Sequence, residues 1–502
     1  MTTPLFTTAD WDYPMIRRIH DAIEPIAVGE MGLDVYPNQI EIITSEQMLD
    51  AYTSTGMPLM YSHWSFGKQF AREELLYRKG AQSLAYELVI NSDPCVSYVM
   101  EENTATMQTL VIAHAAFGHN HFFKNNHTFK TWTHADSVLD DLAFAKRFIA
   151  DCESRHGLAE VESILDAAHS LMNYGVTRYA SRSHPKDHGR LKAEARAAYR
   201  EEHYDDLFER TRPNVKGEPP VEVPPDGLDL PEENLLLFLA RYAPKLEDWQ
   251  REILHIVRRM SQYFYPQRQT KLMNEGCATW VHYRIMNRMY DLGLLTEGSM
   301  LEFLRSHSAV VMQPDFDDRR YGGINPYALG FAMMSDIERM CVEPTDEDRR
   351  WFPEVAGCGR PLEVLREAWA EYRDESFVRQ FLSPRLIREM HLFRVHDDSD
   401  DPVLTVDAIH DEAGYESIRH ALASNYDIAH REPQIEITDA DLSGSRRLTL
   451  THRIRGGRQL NVDPCNRTLQ HVARLWGYRV RLIEVDADDD SVMNQYESVP
   501  LP

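Results

Sequence analysis

Four histidines fall within fourteen residues in the run His114-Ala-Ala-Phe-Gly-His119-Asn-His121-Phe-Phe-Lys-Asn-Asn-His127, in a chain with 22 histidines among 502 residues. Imidazole is the commonest metal ligand, so a cluster of this density points to an ion. The spacing sets a constraint. His114 and His119 are five apart, an offset of ~140° at ~100° per residue, which a regular α-helix would direct away from each other. Gly118 offers a remedy, because a helix ending there in a left-handed turn lets His119 or His121 swing back. His114 and His121 are nearly in line, but about a turn too far apart to share one ion within a regular helix. Beside Phe122 and Phe123, the same histidines would also serve as hydrogen-bonded core.

A second constellation lies far along the chain, in Met273-Asn-Glu275-Gly-Cys-Ala278-Thr-Trp-Val-His282. Glu275, Ala278 and His282 share one helix face. The string Asn274-Glu275-Gly276-Cys277-Ala278 is similar to the asparagine-glutamate-glycine-x-alanine string that supplies a third ligand in glutamate-type zinc peptidases. Glu275 and His282 stand ~10 Å apart along a helix axis, so at most one of them touches a given ion. The other would orient a ligand or meet substrate. A buried Glu–His hydrogen-bonded pair is the plainer alternative. The expectation is that His114, His119 and Glu275 converge on one point.

Other groups could contribute. Glu102, expected on the helix leading to His114, is a candidate base for activating water. Asp166-x-x-His169 and Glu252-x-x-His255 have the spacing of half-sites in di-iron bundle proteins, and equally of surface charge. Arg319 and Arg320, beside Gly322-Gly323 and Asn325, could clamp an anionic part of a substrate or form a solvated turn. There is no Walker loop, no Rossmann glycine pattern, no nucleophile elbow and no C-x-x-C pair.

The elements that would position these groups are mostly helical. Tyr86–Asn91 reads as a short strand stopped by Asp93-Pro94, and a helix pattern then carries Val96, Val99, Met100, Met107, Leu110 and Val111 to Gly118. Asp136 can cap a helix through Ile149, ended near Gly157, and a second runs from Val161 to Met172. Residues 181–232 turn basic and then proline-rich, as an arm. Helices resume at Glu232, over Trp249–Phe264, after Pro266 to Met289, and over Ala328–Met340, with a loop at 306–328. An acidic run at Asp397–Asp401 marks a boundary. Beyond it, Ile435–Ile437, Leu448–Ile454 and Tyr478–Val485 read as strands, with helices near 412–424 and 466–476. The fold class is therefore mainly α. A large helical body over 1–396 carries a short zincin-like edge strand, a small α+β domain spans 402–490, and 491–502 is a tail.

Hydrophobic residues make up 43% and charged residues 26%, an ordinary globular composition. The net charge of −25 argues against a nucleic-acid surface. No run is apolar enough for a membrane span, the N-terminus has no signal-peptide pattern, and the six cysteines are scattered, so a cytoplasmic location with reduced thiols is expected.

Taken together, Tyr86-Glu-Leu-Val-Ile-Asn91, Met100-Glu-Glu-Asn103, His114-x-x-x-Gly-His-Asn, Phe122-Phe-Lys-Asn-Asn126, His169-Ser-Leu-Met-Asn-Tyr-Gly175, Met273-Asn-Glu-Gly-Cys-Ala278 and Gly323-Ile-Asn-Pro-Tyr-Ala-Leu-Gly330 resemble the SpoVR family (stage V sporulation protein R) over nearly the whole chain. Cys277 stands where a tryptophan is expected in many relatives, and His121 where serine is common, which weakens His121 as a ligand. The resemblance implies a link to spore cortex and peptidoglycan in spore formers. In other bacteria it implies stress responses alongside a PrkA-type serine kinase and a co-encoded partner. It implies no activity. The residues suggest a zincin-like metallohydrolase holding a divalent metal, zinc before iron or manganese, and acting on a cell-wall-related or peptide substrate. The alternatives are a non-catalytic assembly protein and a di-iron or di-manganese oxidoreductase.

Overall fold

Val96, Val99 and Met100, whose spacing suggests one face of a helix, lie on a strand. Cys95-Val-Ser-Tyr-Val-Met100 is rich in β-branched and aromatic residues, and five of its six residues are buried. A strand covered on both faces loses the apolar–polar alternation that marks half-exposed strands. In this computed structural model the described residues are 3–48, 61, 63, 87–178, 228, 230–396, 405–408, 410–455 and 457–500. The proline-rich arm and the acidic run at Asp397–Asp401 lie largely or wholly outside them.

The chain divides into two compact units, Met1–Lys146 with Pro266–Ile428, and Arg147–Tyr265 with Ala429–Pro502. The first contains β1 (Asn38–Ile43), β2 (Glu87–Ile90) and β3 (Cys95–Met100) in the order β1-β3-β2. β3 pairs in parallel with β1 and antiparallel with β2, which among the described strands places β2 at an edge with Glu87 opposite Val99. From β3 the chain turns through 101–103 into a helix capped by Thr104, whose hydroxyl accepts from the Met107 N–H. This histidine helix continues without a break through Ala105–Ile112, a π-helical segment Ala113–His119 and Asn120–Asn125.

The core of this unit is organised by helix Lys271–Asp291, twelve of whose residues are buried. Its backbone runs against two others at glycines. A Cβ on Gly118 would lie 2.6 Å from Ala278 Cα, and one on Gly276 would lie 2.7 Å from Gly330 Cα in helix Pro326–Val342. Asp374, buried, accepts from the Leu272 and Met273 N–H groups at 2.9 Å each and so fixes the start of the helix. Helix Glu412–Tyr426 also belongs here, with Tyr415, Ile418, Leu422 and Ala423 in the same core as Trp369 and Phe377. The boundary expected at Asp397–Asp401 assigns this helix to the C-terminal domain, and its burial in the first unit's core assigns it here instead. A short ribbon of β4 (Arg394–His396) and β5 (Thr405–Ala408) precedes it.

The second unit carries a four-stranded sheet in the order β6-β7-β8-β9, from β6 (Ile435–Ala440), β7 (Leu448–Ile454), β8 (Val480–Asp486) and β9 (Val492–Ser498). β7 and β8 are parallel, joined by helix Val462–Trp476, whose apolar side buries Leu469, Val472, Leu475 and Trp476. Gly477, at φ +83°, closes that helix in the left-handed conformation that glycine adopts most readily. β9 occupies the segment read as a tail. It pairs antiparallel with β8, and its alternation is mostly exposed, so the apolar signal of a strand is weak there. No helix among the described residues is long and apolar enough to cross a membrane.

Candidate metal centre

The five-residue spacing of His114 and His119 is resolved by the π-helical segment. A π turn closes i to i+5, so side chains five apart return to one face. Both histidines belong to Ala113–His119, and their rings meet edge to face at 4.6 Å. The helix does not end at Gly118, and no left-handed turn is used. Gly118 serves instead to let the π segment lie against Ala278.

Four side chains converge there. His114 Nε2 lies 3.1 Å from Glu87 Oε1 and 3.9 Å from Glu275 Oε2. His119 Nε2 lies 3.8 Å from Glu87 Oε1 and 3.6 Å from Glu275 Oε2. The ligand atoms of Glu87, His114 and His119 all fall within 4.8 Å of one another, and among the described residues this is the one grouping of three or more such side chains found. Glu275 Oε2 is buried and has no hydrogen-bond partner.

The outer sides of these groups are held. His119 Nδ1 is 2.9 Å from Asn274 Oδ1. His114 Nδ1 is 2.8 Å from His282 Nδ1, and His282 Nε2 is 3.0 Å from His307 Nδ1 on helix Glu297–Val310. The Tyr327 hydroxyl donates to Glu275. In Asn274-Glu275-Gly276-Cys277-Ala278 each residue thus has a place. Asn274 orients His119, Glu275 faces both imidazoles, Gly276 and Ala278 admit neighbouring backbones, and the buried Cys277 thiol lies against the Gly118 carbonyl.

The electrostatics draw positive charge inward. Burial pushes Glu87 up to about 7, opposed by His114 and reinforced by Glu275. Burial alone would raise Glu275 too, but His114, His119 and Tyr327 hold it below its ordinary value. Burial disfavours a charged His114, yet Glu87 and Glu275 outweigh it and raise that imidazole. His119 is driven down to about 4 by burial and then by His114. His282 falls well below its ordinary value, through burial and the neighbouring imidazoles. Two carboxylates that raise His114 in one buried place favour a cation, and a metal ion would displace the His114 proton to take that position.

A family model described as SpoVR like protein matches residues 10–431, and one described as SpoVR-like C-terminal domain matches residues 433–487. The chain belongs to the SpoVR family. It is 49% identical over 498 residues to the uncharacterized protein YcgB of Escherichia coli (strain K12), covering 98% of this chain and 96% of that one. No solved structure matches it. The seam between the two SpoVR models, at 431–433, falls just before β6, where the second structural unit resumes.

The remaining candidates of this SpoVR chain are not among the groups that converge in the first unit. Glu102 is exposed in the turn 101–103, not on a helix, and its carboxylate accepts from the Ser45 N–H at 3.1 Å. That geometry gives it no access to the imidazoles as a base. His121 faces away, with Nδ1 at 3.0 Å from both the Asp34 N–H and carbonyl and its ring against Trp369. Asp166, His169, Glu252 and His255 belong to the second unit, and Glu252 pairs with Arg259 at 3.8 Å. Arg320 is engaged by its neighbour Asp318 at 2.6 Å in an exposed loop, where Arg319 is also exposed. Asn325 caps helix Pro326–Val342, accepting from the Tyr327 N–H and donating to the Val310 and Met312 carbonyls. Sequence reasoning missed Glu87, Tyr327 and His307. The available signals were a carboxylate opening an otherwise apolar strand, a tyrosine just after the Asn325-Pro326 helix start, and a histidine one turn beyond Phe303.

Proposed function

We propose that the chain binds one divalent cation, zinc in the first instance, on His114, His119 and Glu275, with Glu87 beside the position left open, and acts as a metal-dependent hydrolase. The observation that carries this reading is the length of the contacts. Donors on a tetrahedral ion with bonds of ~2.0–2.2 Å stand ~3.4 Å apart. The four imidazole–carboxylate distances run from 3.1 to 3.9 Å. A hydrogen-bonded core would instead draw such pairs to ~2.7–2.9 Å. Three of the four distances are clearly longer than that, at 3.6 to 3.9 Å.

When bound, the ion supplies Lewis-acid activation of a water or a carbonyl. His114, His119 and Glu275 have their rear atoms fixed by His282, Asn274 and Tyr327, the arrangement that keeps ligands in place. Glu87, held near neutrality, is suited to exchange a proton, and it replaces Glu102 as the candidate base. Among the described residues its strand β2 lies at an edge of the sheet, which favours an extended, peptide-like substrate laid alongside β2. The di-iron alternative loses support, because its carboxylate–histidine pairs are not gathered here.

The test is metal analysis of the purified full chain, with hydrolysis of a peptide mixture followed in parallel. One equivalent of metal and chelator-sensitive hydrolysis are expected. Glu275→Gln should lose metal, and Glu87→Gln should lose hydrolysis. A wild-type protein that neither retains nor takes up zinc, iron or manganese refutes the reading.

A further inference from the structure

Cys341 and Cys358 take no part in the cluster above. Cys341 is buried one residue from the end of helix Pro326–Val342, and Cys358 sits half-buried in the loop after helix Asp346–Trp351. That loop is stitched to the helix end through its backbone. The Gly357 N–H donates to the Met340 carbonyl and the Gly359 N–H to the Cys341 carbonyl, each at 2.9 Å. These two bonds bracket Cys358 and hold it beside the end of the helix that carries Cys341, close enough for the Cys358 side chain to act on the Cys341 thiol. The bracketing residues have φ of +77° and +69°, a conformation that glycine adopts without strain. The sequence Gly357-Cys-Gly359 therefore builds in the doubled-back geometry that brings together two thiols distant in sequence.

We propose that Cys341 and Cys358 form a peroxide-responsive thiol pair that closes to a reversible disulfide. The sulfur of Cys358, the less buried of the two, attacks hydrogen peroxide, the O–O bond breaks, and a sulfenic acid and water result. The Cys341 sulfur then attacks the Cys358 sulfur. The S–S bond forms, the S–O bond breaks, and the leaving hydroxide takes the Cys341 proton as a second water. Two thiols are oxidised and one peroxide is reduced to two waters. Cys341 is buried and shielded from peroxide, whereas Cys358 is only half-buried, so Cys341 acts as the resolving partner. The product ties the loop to the far end of the helix whose first turn carries Tyr327. The pair is independent of whether the cluster holds a metal.

Full-length protein is treated with hydrogen peroxide, its free thiols alkylated, and the digest read by mass spectrometry before and after dithiothreitol. The expected result is loss of two of the six thiols, a peptide pair joining Cys341 to Cys358, and recovery on reduction. Cys341→Ala should leave Cys358 as a sulfenic acid captured by dimedone, and Cys358→Ser should abolish the cross-link. The proposal is overturned if wild-type Cys341 and Cys358 stay reduced, pair with other cysteines, or stop at a sulfinic acid on Cys358.

Discussion

Gly118→Ala tests whether the crossing of two helices sets the geometry of the cluster. A Cβ at 118 would lie 2.6 Å from Ala278 Cα and 2.9 Å from Ala278 Cβ. Ordinary carbon contacts are ~3.5–4.0 Å, so the backbones must part by about 1 Å, and no side-chain rotation relieves a clash with a main-chain atom. Overpacking of this kind costs ~1–3 kcal/mol. Alanine gains ~1 kcal/mol over glycine inside a helix, which offsets part of the cost and leaves a net loss of ~0–2 kcal/mol. The site is the more sensitive reporter. Parting by ~1 Å carries Glu275 Oε2 from 3.6 and 3.9 Å to ~4.6–4.9 Å from the imidazoles, beyond the reach of two bonds of ~2.0–2.2 Å on one ion. Zinc affinity should fall at least ~10-fold, as it does when ligand orientation is lost. Urea unfolding of the metal-free protein and zinc titration against a competing chelator measure the two effects. An alanine variant with wild-type zinc affinity would show that the helix crossing does not set the site.

Two further outcomes are expected. His307→Phe removes the group that holds His282, and through it His114, so zinc affinity should fall ~10-fold in the same chelator competition; equal affinity would limit the effective chain to His282. Asp348 is buried, which alone would raise its carboxyl, but hydrogen bonds from Arg339 and Thr345 hold it near 2 against an ordinary 3.8. A depressed carboxyl stabilises the fold above its unfolded value, and that gain is lost as pH falls from about 4 to 2; at ~1.4 kcal/mol per unit it amounts to about 2 kcal/mol. Asp348→Asn should lose at least that much at pH 7 and flatten the acid limb of urea unfolding, and an unchanged acid limb would refute the assignment.

What the sequence disclosed followed residue type, and what it concealed followed backbone geometry. The histidine run, Glu275 and the supporting place of His282 were legible because metal-capable side chains at helical spacing are a local signal. The π segment was not, since Ala113–His119 contains no residue that forbids an α-helix; the extra residue per turn is imposed by tertiary packing around Gly118 and Ala278. Glu87 was hidden for a different reason. Strand β2 was read correctly, but nothing local indicates that an edge-strand carboxylate faces a helix near residue 114. β3 was mistaken for helix because burial on both faces erases its period of two. Helix Glu412–Tyr426 was readable as a helix, whereas its allegiance to the first unit rests on Tyr415, Ile418 and Leu422 entering a core that lies distant in sequence.

Stability offers the sharpest separation between a cation site and a buried ion-pair network. If Glu87 and Glu275 exist to pair with His114, removing either carboxylate leaves the fold weaker, because the remaining partner is stranded in a desolvated site. If they exist to hold a cation, the metal-free protein carries two carboxylates in one buried place, with His119 and His282 held neutral and only His114 raised. That arrangement is a strain on the empty fold, of the kind retained where function needs it. Glu87→Gln keeps the volume and removes one of the two like charges. Metal-free Glu87→Gln is therefore expected to be as stable as wild type or more so, by up to ~1–3 kcal/mol in urea unfolding at pH 8. With zinc present the order should invert, since wild type gains ~2.7 kcal/mol at a hundredfold excess over its dissociation constant and the variant gains less. A variant weaker than wild type by the same amount with and without zinc would make the cluster an ion-pair network and remove the basis of the metal reading.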